Sequence, residues 1–151
     1  MLQRNDDSPE ILYIELLKRC LIRHNLEDHT HTPILPELLQ YLEPNETPRS
    51  IGLDWPVFAE SMIGLKRMNN LQYCITTILQ EEIPGDLIET GVWRGGAAIF
   101  MRGILKAYND KTRIVWAADS FIGLPKPNTD KCPADFGDAH HEHSYLAVSL
   151  E

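Results

Sequence analysis

The sequence predicts an α/β protein that contains a strand–helix–strand unit of a doubly wound parallel sheet, with helices ahead of it. Two short apolar runs, at residues 86–90 and 113–119, are typical of strands, and a segment with helical spacing lies between them. A glycine turn, which begins at Gly91 and includes Gly95 and Gly96, separates the first run from that helix. A length of 151 residues with 43% hydrophobic residues suits one globular domain with a core.

The first helix is expected from Pro9 to about His24, because Ser8 is a suitable N-cap and proline is favoured at the first helical position. Its apolar stripe consists of residues at helical spacing: Leu12, Leu16, Leu17 and Leu21, with Ile14 nearby. A short helix is expected at residues 36–41. Residues 43–56 hold three prolines and one glycine, so they are expected to form a loop with turns.

The second long helix is expected at residues 64–82, and Pro84 and Gly85 end it. One face carries its apolar residues: Leu65, Met68, Leu71, Ile75, Ile78 and Leu79. Cys20 and Cys74 lie in the apolar patterns of the two long helices, which predicts that both are buried.

The strand–helix–strand unit fills residues 86–119, with its helix at about residues 97–108. Strands joined in this way are expected to be parallel, with a right-handed crossover. A long loop is expected at residues 123–138, and a helical pattern resumes over residues 142–151.

The composition excludes several classes of protein. A formal net charge of −8 argues against a nucleic-acid-binding protein, which usually has a basic face. The sequence shows no apolar run of about 18 residues to span a membrane and no signal peptide. Three cysteines without a CxxC spacing fit neither a disulfide framework nor a zinc motif, so a reducing cytoplasm is the expected location.

Three histidines near the C-terminus form the one cluster whose composition suits a metal site. They are accompanied by acids, and the whole cluster is Asp135, Asp138, His140, His141, Glu142 and His143. The histidines lack the i, i+4 pair of an HExxH motif, and a solvated polar loop is the favoured interpretation.

Candidate ligand-binding residues lie at the end of each predicted strand, at the sheet edge where open parallel sheets bind ligands. They are Glu89, Thr90 and Gly91 at the end of the first strand and Asp119 and Ser120 at the end of the second. Glycines such as Gly91 and Gly95 allow a sharp turn and close approach to a ligand. A carboxylate such as Asp119 can accept hydrogen bonds from both hydroxyls of a ribose, so the pattern predicts a ligand that contains a nucleoside. The simpler alternative is that Glu89 and Asp119 only cap turns.

The turn discriminates between nucleoside cofactors. Its form is G-x-x-x-G-G rather than G-x-G-x-x-G, and the bulky Trp93 stands where the second glycine would admit the pyrophosphate of NAD. An acid at Glu89 would repel a pyrophosphate but attract an ammonium group. S-adenosylmethionine carries a ribose, an ammonium and a sulfonium without phosphate, so it fits both features.

Residues 83–125 closely resemble the macrocin O-methyltransferase family, most specifically in the strings ETGVWRGG and ADSF-x-GLP. Residues 59–64 and 70–72 are similar to that family as well. The resemblance implies a class I methyltransferase with a Rossmann-like fold, S-adenosylmethionine as methyl donor, and a divalent metal, usually Mg²⁺. It also implies a small-molecule acceptor, namely a sugar hydroxyl of a natural product.

By position, the resemblance implies roles for individual residues. Glu89 would lie at the amino acid end of the donor, with Thr90 beside it. The pocket floor would be shaped by Gly91 and Gly95, and the ribose would be held by Asp119 with Ser120 beside it. Ser61 and Met62 would close over the methionine part, although ordinary packing is an alternative for Met62. Arg94 is assigned to the cofactor site, with a surface salt bridge as its alternative.

A doubly wound sheet needs about five or more strands, and only two are predicted. We therefore expect residues 1–54 to form an N-terminal helical segment and residues 55–151 the first part of a truncated Rossmann-like domain. The resemblance implies that metal ligands and a catalytic base lie beyond Glu151, so none is assigned within the chain. Two alternatives remain: a fragment of an NAD-dependent oxidoreductase, and a non-catalytic interaction module. A homo-oligomer is compatible with the sequence.

Overall fold

The computed structural model describes residues 8–24, 26–31, 34 and 36–150. Its helices and strands are α1 (Pro9–Leu21), α2 (Pro48–Ile51), α3 (Gly64–Gln80), β1 (Leu87–Thr90), α4 (Gly96–Ala107) and β2 (Val115–Ala118). Short 3-10 helices lie at Pro36–Tyr41, Pro133–Asp135, His140–Glu142 and Ser144–Leu146. The start of the chain, where no signal peptide is expected, and Glu151 at the end of the last predicted helix lie outside the described residues.

The predicted strand–helix–strand unit is confirmed. β1 and β2 pair in parallel, with Leu87 opposite Val115 and Ile88 opposite Trp116. α4 packs against both strands. The apolar run at residues 86–90 predicts a buried strand, and this prediction is wrong, because Ile88 is 62% exposed and Trp116, its partner on β2, is 53% exposed. The side chains of a strand alternate between two faces, and only the other face is packed against α4.

The core lies where α1, α3 and α4 meet. Its buried side chains are Ile14, Leu21, Ile22, Met68, Ile75, Phe100, Met101, Ile104 and Leu105. α4 contributes four of these nine residues, so the helix that follows the glycine turn is the central element of the fold. The start of α4, and with it the turn, is therefore held by the core.

The cap of α1 is as predicted, since the Ser8 Oγ accepts a hydrogen bond from the N–H of Ile11. The prediction that its apolar stripe is the buried face is partly wrong, because Leu12 and Leu16 are 56% and 63% exposed. The buried face instead includes Lys18, which leucine spacing could not indicate. The Lys18 Nζ donates to three side-chain oxygens, of Glu15, Asn69 and Gln72. A buried ammonium is tolerated when it is fully hydrogen-bonded.

Three further expectations are corrected. The loop at residues 43–56 contains α2, which begins with a capping box between Thr47 and Ser50. The predicted C-terminal helix is replaced by 3-10 turns, and the loop before it also contains one. Cys20 and Cys74 are exposed, because the buried positions beside them are Leu21 and Ile75, and consecutive residues of a helix point about 100° apart.

The histidine cluster has the character of a polar loop. The His140 ring hydrogen-bonds the Asp138 carboxylate, and both side chains are exposed. Among the described residues, no group of three or more His, Cys, Asp and Glu side chains is arranged to hold a metal ion. The same residues contain no helix long and apolar enough to cross a membrane.

Candidate functional site

A cleft of about 540 Å³ opens where both strands end. The glycine turn after β1 and the loop after β2 supply most of its surface. Its lining residues are Met62, Gly91, Trp93, Ala118, Asp119, Ser120, Leu124, Pro125 and Leu146. Four predicted site residues, Met62, Gly91, Asp119 and Ser120, are thus brought together in one cleft. The remaining predicted residues lie outside its lining.

Asp119 fastens the turn between β1 and α4. Its Oδ2 accepts hydrogen bonds from the backbone N–H groups of Val92 at 2.6 Å and Trp93 at 3.4 Å. Its Oδ1 accepts from the N–H of Phe121 at 2.9 Å. The bonds from Phe121 and Val92 are the main reason that the pKa of Asp119 lies below its usual value. Asp119 therefore does cap a turn, and its predicted contact with a ribose remains a prediction.

Ser120 shapes the start of the loop after β2. Its hydroxyl donates to the carbonyl of Gly123 at 2.7 Å and lies 3.5 Å from the Asp119 Oδ1. The second distance is at the limit of a hydrogen bond. A ligand hydroxyl could therefore replace Ser120 at that oxygen with little loss.

Glu89 has a half-buried carboxylate that faces the start of α4, where the N–H of Ala98 donates to it. Its Oε2 is buried and has no hydrogen-bond partner among the described residues. Burial raises the pKa of Glu89, and the neighbouring Asp119 carboxylate adds to the increase. A buried carboxylate oxygen without a donor is unfavourable, so this position suits a cationic group.

The glycine turn keeps the floor of the cleft open. Gly91 and Gly95 have φ values of +82° and +81°, in the left-handed region that favours glycine. Apart from Gly91 itself and its two chain neighbours, no described residue has an atom within 4 Å of the place where a Cβ on Gly91 would stand. Trp93 also has a positive φ, of 51°, and its side chain lines the cleft. Thr90 is exposed at the end of β1.

Arg94 is used within the protein. Its Nη1 donates to the carbonyls of Val57 at 2.8 Å and Ala59 at 2.9 Å, in place of the surface salt bridge considered as an alternative. Its guanidinium lies over the Trp93 ring, 4.2 Å from the centroid. Arg94 therefore ties the glycine turn to the segment ahead of α3.

Ser61 and Met62 differ in their access to the cleft. Met62 lines it, whereas Ser61 is buried and its Oγ accepts from the N–H of Ile63 at 3.4 Å. The preceding carbonyl, of Glu60, accepts from the N–H of Gly96 at 2.9 Å. This contact attaches the segment to the first residue of α4, so Ser61 is placed to support Met62.

Sequence reasoning did not assign four apolar lining residues: Ala118, Leu124, Pro125 and Leu146. Ala118 is the last residue of β2, and Leu124 and Pro125 belong to the string GLP, which the sequence identifies as part of a family signature. Leu146 comes from a segment that was expected to be a helix, and it has no sequence signal of its own. Trp93, which in the sequence argues only against NAD, also lines the cleft.

The chain matches the family model described as Macrocin-O-methyltransferase (TylF) over residues 10–151. It is 48% identical over 141 residues to an 8-demethyl-8-(2,3-dimethoxy-alpha-L-rhamnosyl)-tetracenomycin-C 4'-O-methyltransferase of Streptomyces olivaceus, a match that covers 93% of this chain and 52% of that protein. It is 47% identical over 133 residues to a mycinamicin III 3''-O-methyltransferase of Micromonospora griseorubida, which covers 88% of this chain and 51% of that protein.

The fold is similar to a solved structure of the O-methyltransferase NovP, with a TM-score of 0.74 and 40% sequence identity. That similarity covers 93% of this chain and 55% of the other. The chain thus spans about half the length of the curated relatives that it matches.

Proposed function

The chain belongs to the macrocin O-methyltransferase family, and from that premise we propose that its cleft is the donor site of an S-adenosylmethionine-dependent O-methyltransferase. The proposed acceptor is a sugar hydroxyl of a natural product, as in the names of the relatives. The observation that carries the donor assignment is the buried Glu89 Oε2, which lacks a hydrogen-bond partner among the described residues at the end of β1.

The chemistry of the cleft supports a donor without phosphate. Among the described residues that line the cleft, Asp119 is the one that carries a charge, and none is a lysine or arginine. A phosphate in the cleft would be repelled by Asp119 and by the neighbouring Glu89 carboxylate, whereas an ammonium or sulfonium would be attracted. The open space beside Gly91 lets a ligand approach the backbone. These features favour S-adenosylmethionine over NAD.

We assign the ribose to Asp119 in a more limited way than the sequence predicted. A carboxylate has about four acceptor sites. Backbone N–H groups of Val92, Trp93 and Phe121 donate to it, and the Ser120 N–H also helps to lower its pKa. The longest contact, between the Ser120 hydroxyl and Oδ1, is 3.5 Å. One ribose hydroxyl would take that place on Oδ1. In this proposal Asp119 both holds the glycine turn in place and binds the ribose of the donor.

The other predicted residues divide into contacts and supports. Met62 and Gly91 are proposed to touch the donor, and Glu89 to balance its ammonium. Ser61, Thr90, Arg94 and Gly95 are proposed to position the turn and the segment before α3 rather than to contact the donor.

The bound donor would supply an electrophilic methyl group on sulfur. In an in-line displacement, the acceptor oxygen forms a bond to the methyl carbon, the carbon–sulfur bond breaks with its electron pair left on sulfur, and the hydroxyl proton passes to a base. We propose that the chain's own residues bind and orient the donor for this step. No general base, and no residue for the Mg²⁺ implied by the family resemblance, is assigned among the described residues, where no metal-binding cluster is found.

Isothermal titration calorimetry of the 151-residue chain tests the donor site. We expect S-adenosylmethionine to bind with a dissociation constant at or below about 100 μM, and NAD to show no measurable binding at the same concentration. Binding of NAD without S-adenosylmethionine would favour the oxidoreductase alternative. Binding of neither cofactor would contradict the proposed donor site and favour a non-catalytic interaction module.

Glu89→Gln is expected to weaken S-adenosylmethionine binding about tenfold at neutral pH, because the amide cannot balance an ammonium group. Burial raises the folded-state pKa of Glu89 above its usual 4.5. The ionised group therefore destabilises the fold at neutral pH, and this cost disappears as the pH falls through the raised pKa towards 4.5. The substitution should leave the thermal midpoint at pH 7 equal or higher while donor binding weakens.

Glu37→Gln is the matched control, since Glu37 is exposed in the 3-10 helix at Pro36–Tyr41. The measurements are calorimetric affinity and thermal midpoint for each variant between pH 4 and pH 8. Wild-type affinity should fall as Glu89 becomes protonated, and the Glu89→Gln variant should lack that dependence. An equal pH dependence in both proteins would contradict the role of Glu89.

A further inference from the structure

Tyr145 lies at a junction of three segments that are distant in the sequence. Its ring stacks on Trp55, with centroids 5.5 Å apart and planes at 8°, and it packs against Trp93 at 5.2 Å. The Arg94 guanidinium lies 5.5 Å from the same ring. The glycine turn, the segment ahead of α3 and the C-terminal segment thus meet at one side chain.

Hydrogen bonds fix this junction from two directions. The Trp93 indole N–H donates to the carbonyl of Tyr145 at 3.0 Å, and the Tyr145 hydroxyl donates to the carbonyl of Pro56. Burial raises the pKa of Tyr145 to about 12, so its hydroxyl remains a donor at physiological pH. The ring and both polar ends of Tyr145 are therefore engaged.

The junction continues directly into the cleft wall. Leu146 lines the cleft next to Tyr145, and Leu124 and Pro125 line it from the beginning of the same loop. A Cβ on Gly123 would stand 2.9 Å from the Ala147 Cβ, so the two ends of the loop touch. Within the described residues, 3-10 turns are the regular structure between positions 119 and 150. The wall therefore depends on contacts at its ends.

We propose that Tyr145 is a positioning residue that fastens the loop of residues 120–147 and holds Leu146 as the wall of the donor cleft. The inference rests on the proposed function, because the cleft is assigned to S-adenosylmethionine there. Tyr145 does not line the cleft and acts through Leu146 and Trp93. Its ring supplies stacking, and its hydroxyl links the loop to Pro56.

The rate of limited trypsin cleavage after Lys131, an exposed residue of this loop, measures how firmly the loop is held. Calorimetry with S-adenosylmethionine measures the effect on donor affinity. Tyr145→Ala is expected to speed cleavage about tenfold and to raise the donor dissociation constant about tenfold. Tyr145→Phe keeps the stacking, so we expect changes of about threefold. S-adenosylmethionine should slow cleavage of the wild type and protect Tyr145→Ala much less, an uncoupling that a residue important only for overall stability would not produce.

Tyr73→Ala is the control, because Tyr73 is 68% exposed on α3. Cleavage rates and donor affinities that are the same in Tyr145→Phe, Tyr145→Ala and Tyr73→Ala would overturn the proposal. If Tyr145→Ala does not fold, Tyr145→Phe decides, and its equality with the wild type in both measurements overturns the proposal. If the wild type binds no donor, the proposed function fails by itself, while the cleavage rates without donor still decide whether Tyr145 fastens the loop.

Discussion

Asp119→Ala is expected to weaken S-adenosylmethionine binding about a hundredfold and to destabilise the fold. The substitution removes the acceptor for the N–H groups of Val92, Trp93 and Phe121. A hydrogen bond to a charged group contributes roughly 1.5–3 kcal/mol, and two of these three are short, so we expect a net loss of about 2–3 kcal/mol. That corresponds to a fall of roughly 5–10 °C in the midpoint of thermal unfolding.

The expected loss of donor affinity in Asp119→Ala has two causes. In the proposed site the ribose would lose its carboxylate partner, and Gly91 and Trp93, which line the cleft, lose the anchor of their turn. Asp119→Asn separates them, because the amide keeps an acceptor oxygen and the size of the side chain. We expect Asp119→Asn to recover part of the stability and little of the affinity. Calorimetry and thermal unfolding measure the two quantities.

The pH dependence provides an internal check. The pKa of Asp119 is lowered in the folded state, chiefly by the bond from Phe121 and then by that from Val92. Its stabilisation is therefore present above the usual value of 3.8 and is lost as the pH falls through the lowered pKa. The stability difference between wild type and Asp119→Ala should become smaller in that acidic range, because a protonated carboxyl keeps only a neutral acceptor. Asp130→Ala, which alters an exposed acid of the following loop, should leave both measurements unchanged.

The sheet and the position of the cleft at its edge were predictable because their signals are local. β1, the glycine turn, α4 and β2 follow one another within about 30 residues. Each is indicated by the spacing of apolar residues and glycines in its own part of the sequence. The carboxyl ends of parallel strands meet at one edge, so Gly91 and Asp119 had to lie near each other. Their proximity could therefore be predicted without knowing any contact between distant parts of the chain.

Features that depend on tertiary contacts were not predictable. The leucine spacing of α1 indicated Leu12 and Leu16 as buried, but α3 supplies Asn69 and Gln72 as partners for Lys18, and the helix turns that face inwards. The C-terminal segment has helical spacing, yet Tyr145 engages Trp93 and Pro56 and holds that segment in an irregular path. In both cases a polar partner from elsewhere in the chain outweighed the local pattern.

Gly96→Ala is expected to destabilise the protein by about 1–3 kcal/mol, the usual cost of forcing atoms into a packed site. A Cβ on Gly96 would stand 2.4 Å from the Glu60 carbonyl oxygen and 2.5 Å from the Ser61 Cβ. The Glu60 carbonyl oxygen is a backbone atom that accepts a hydrogen bond from the N–H of Gly96, so rotation of a side chain cannot relieve the clash. Instead the segment of Glu60 and Ser61 must move, and Met62 should move with it out of the cleft wall. We expect donor affinity to fall about tenfold.

Gly103→Ala is the matched control, with the same change in the same helix. A Cβ there would meet the Leu17 Cδ2, the end of a side chain that can change rotamer. Alanine is also favoured over glycine inside a helix by about 1 kcal/mol, so this variant should be near neutral in stability and should bind the donor normally. Thermal unfolding and calorimetry of the two variants compare a clash with the backbone against a clash with a movable side chain. Equal behaviour of the two would mean that Gly96 does not hold the Ser61–Met62 segment against α4.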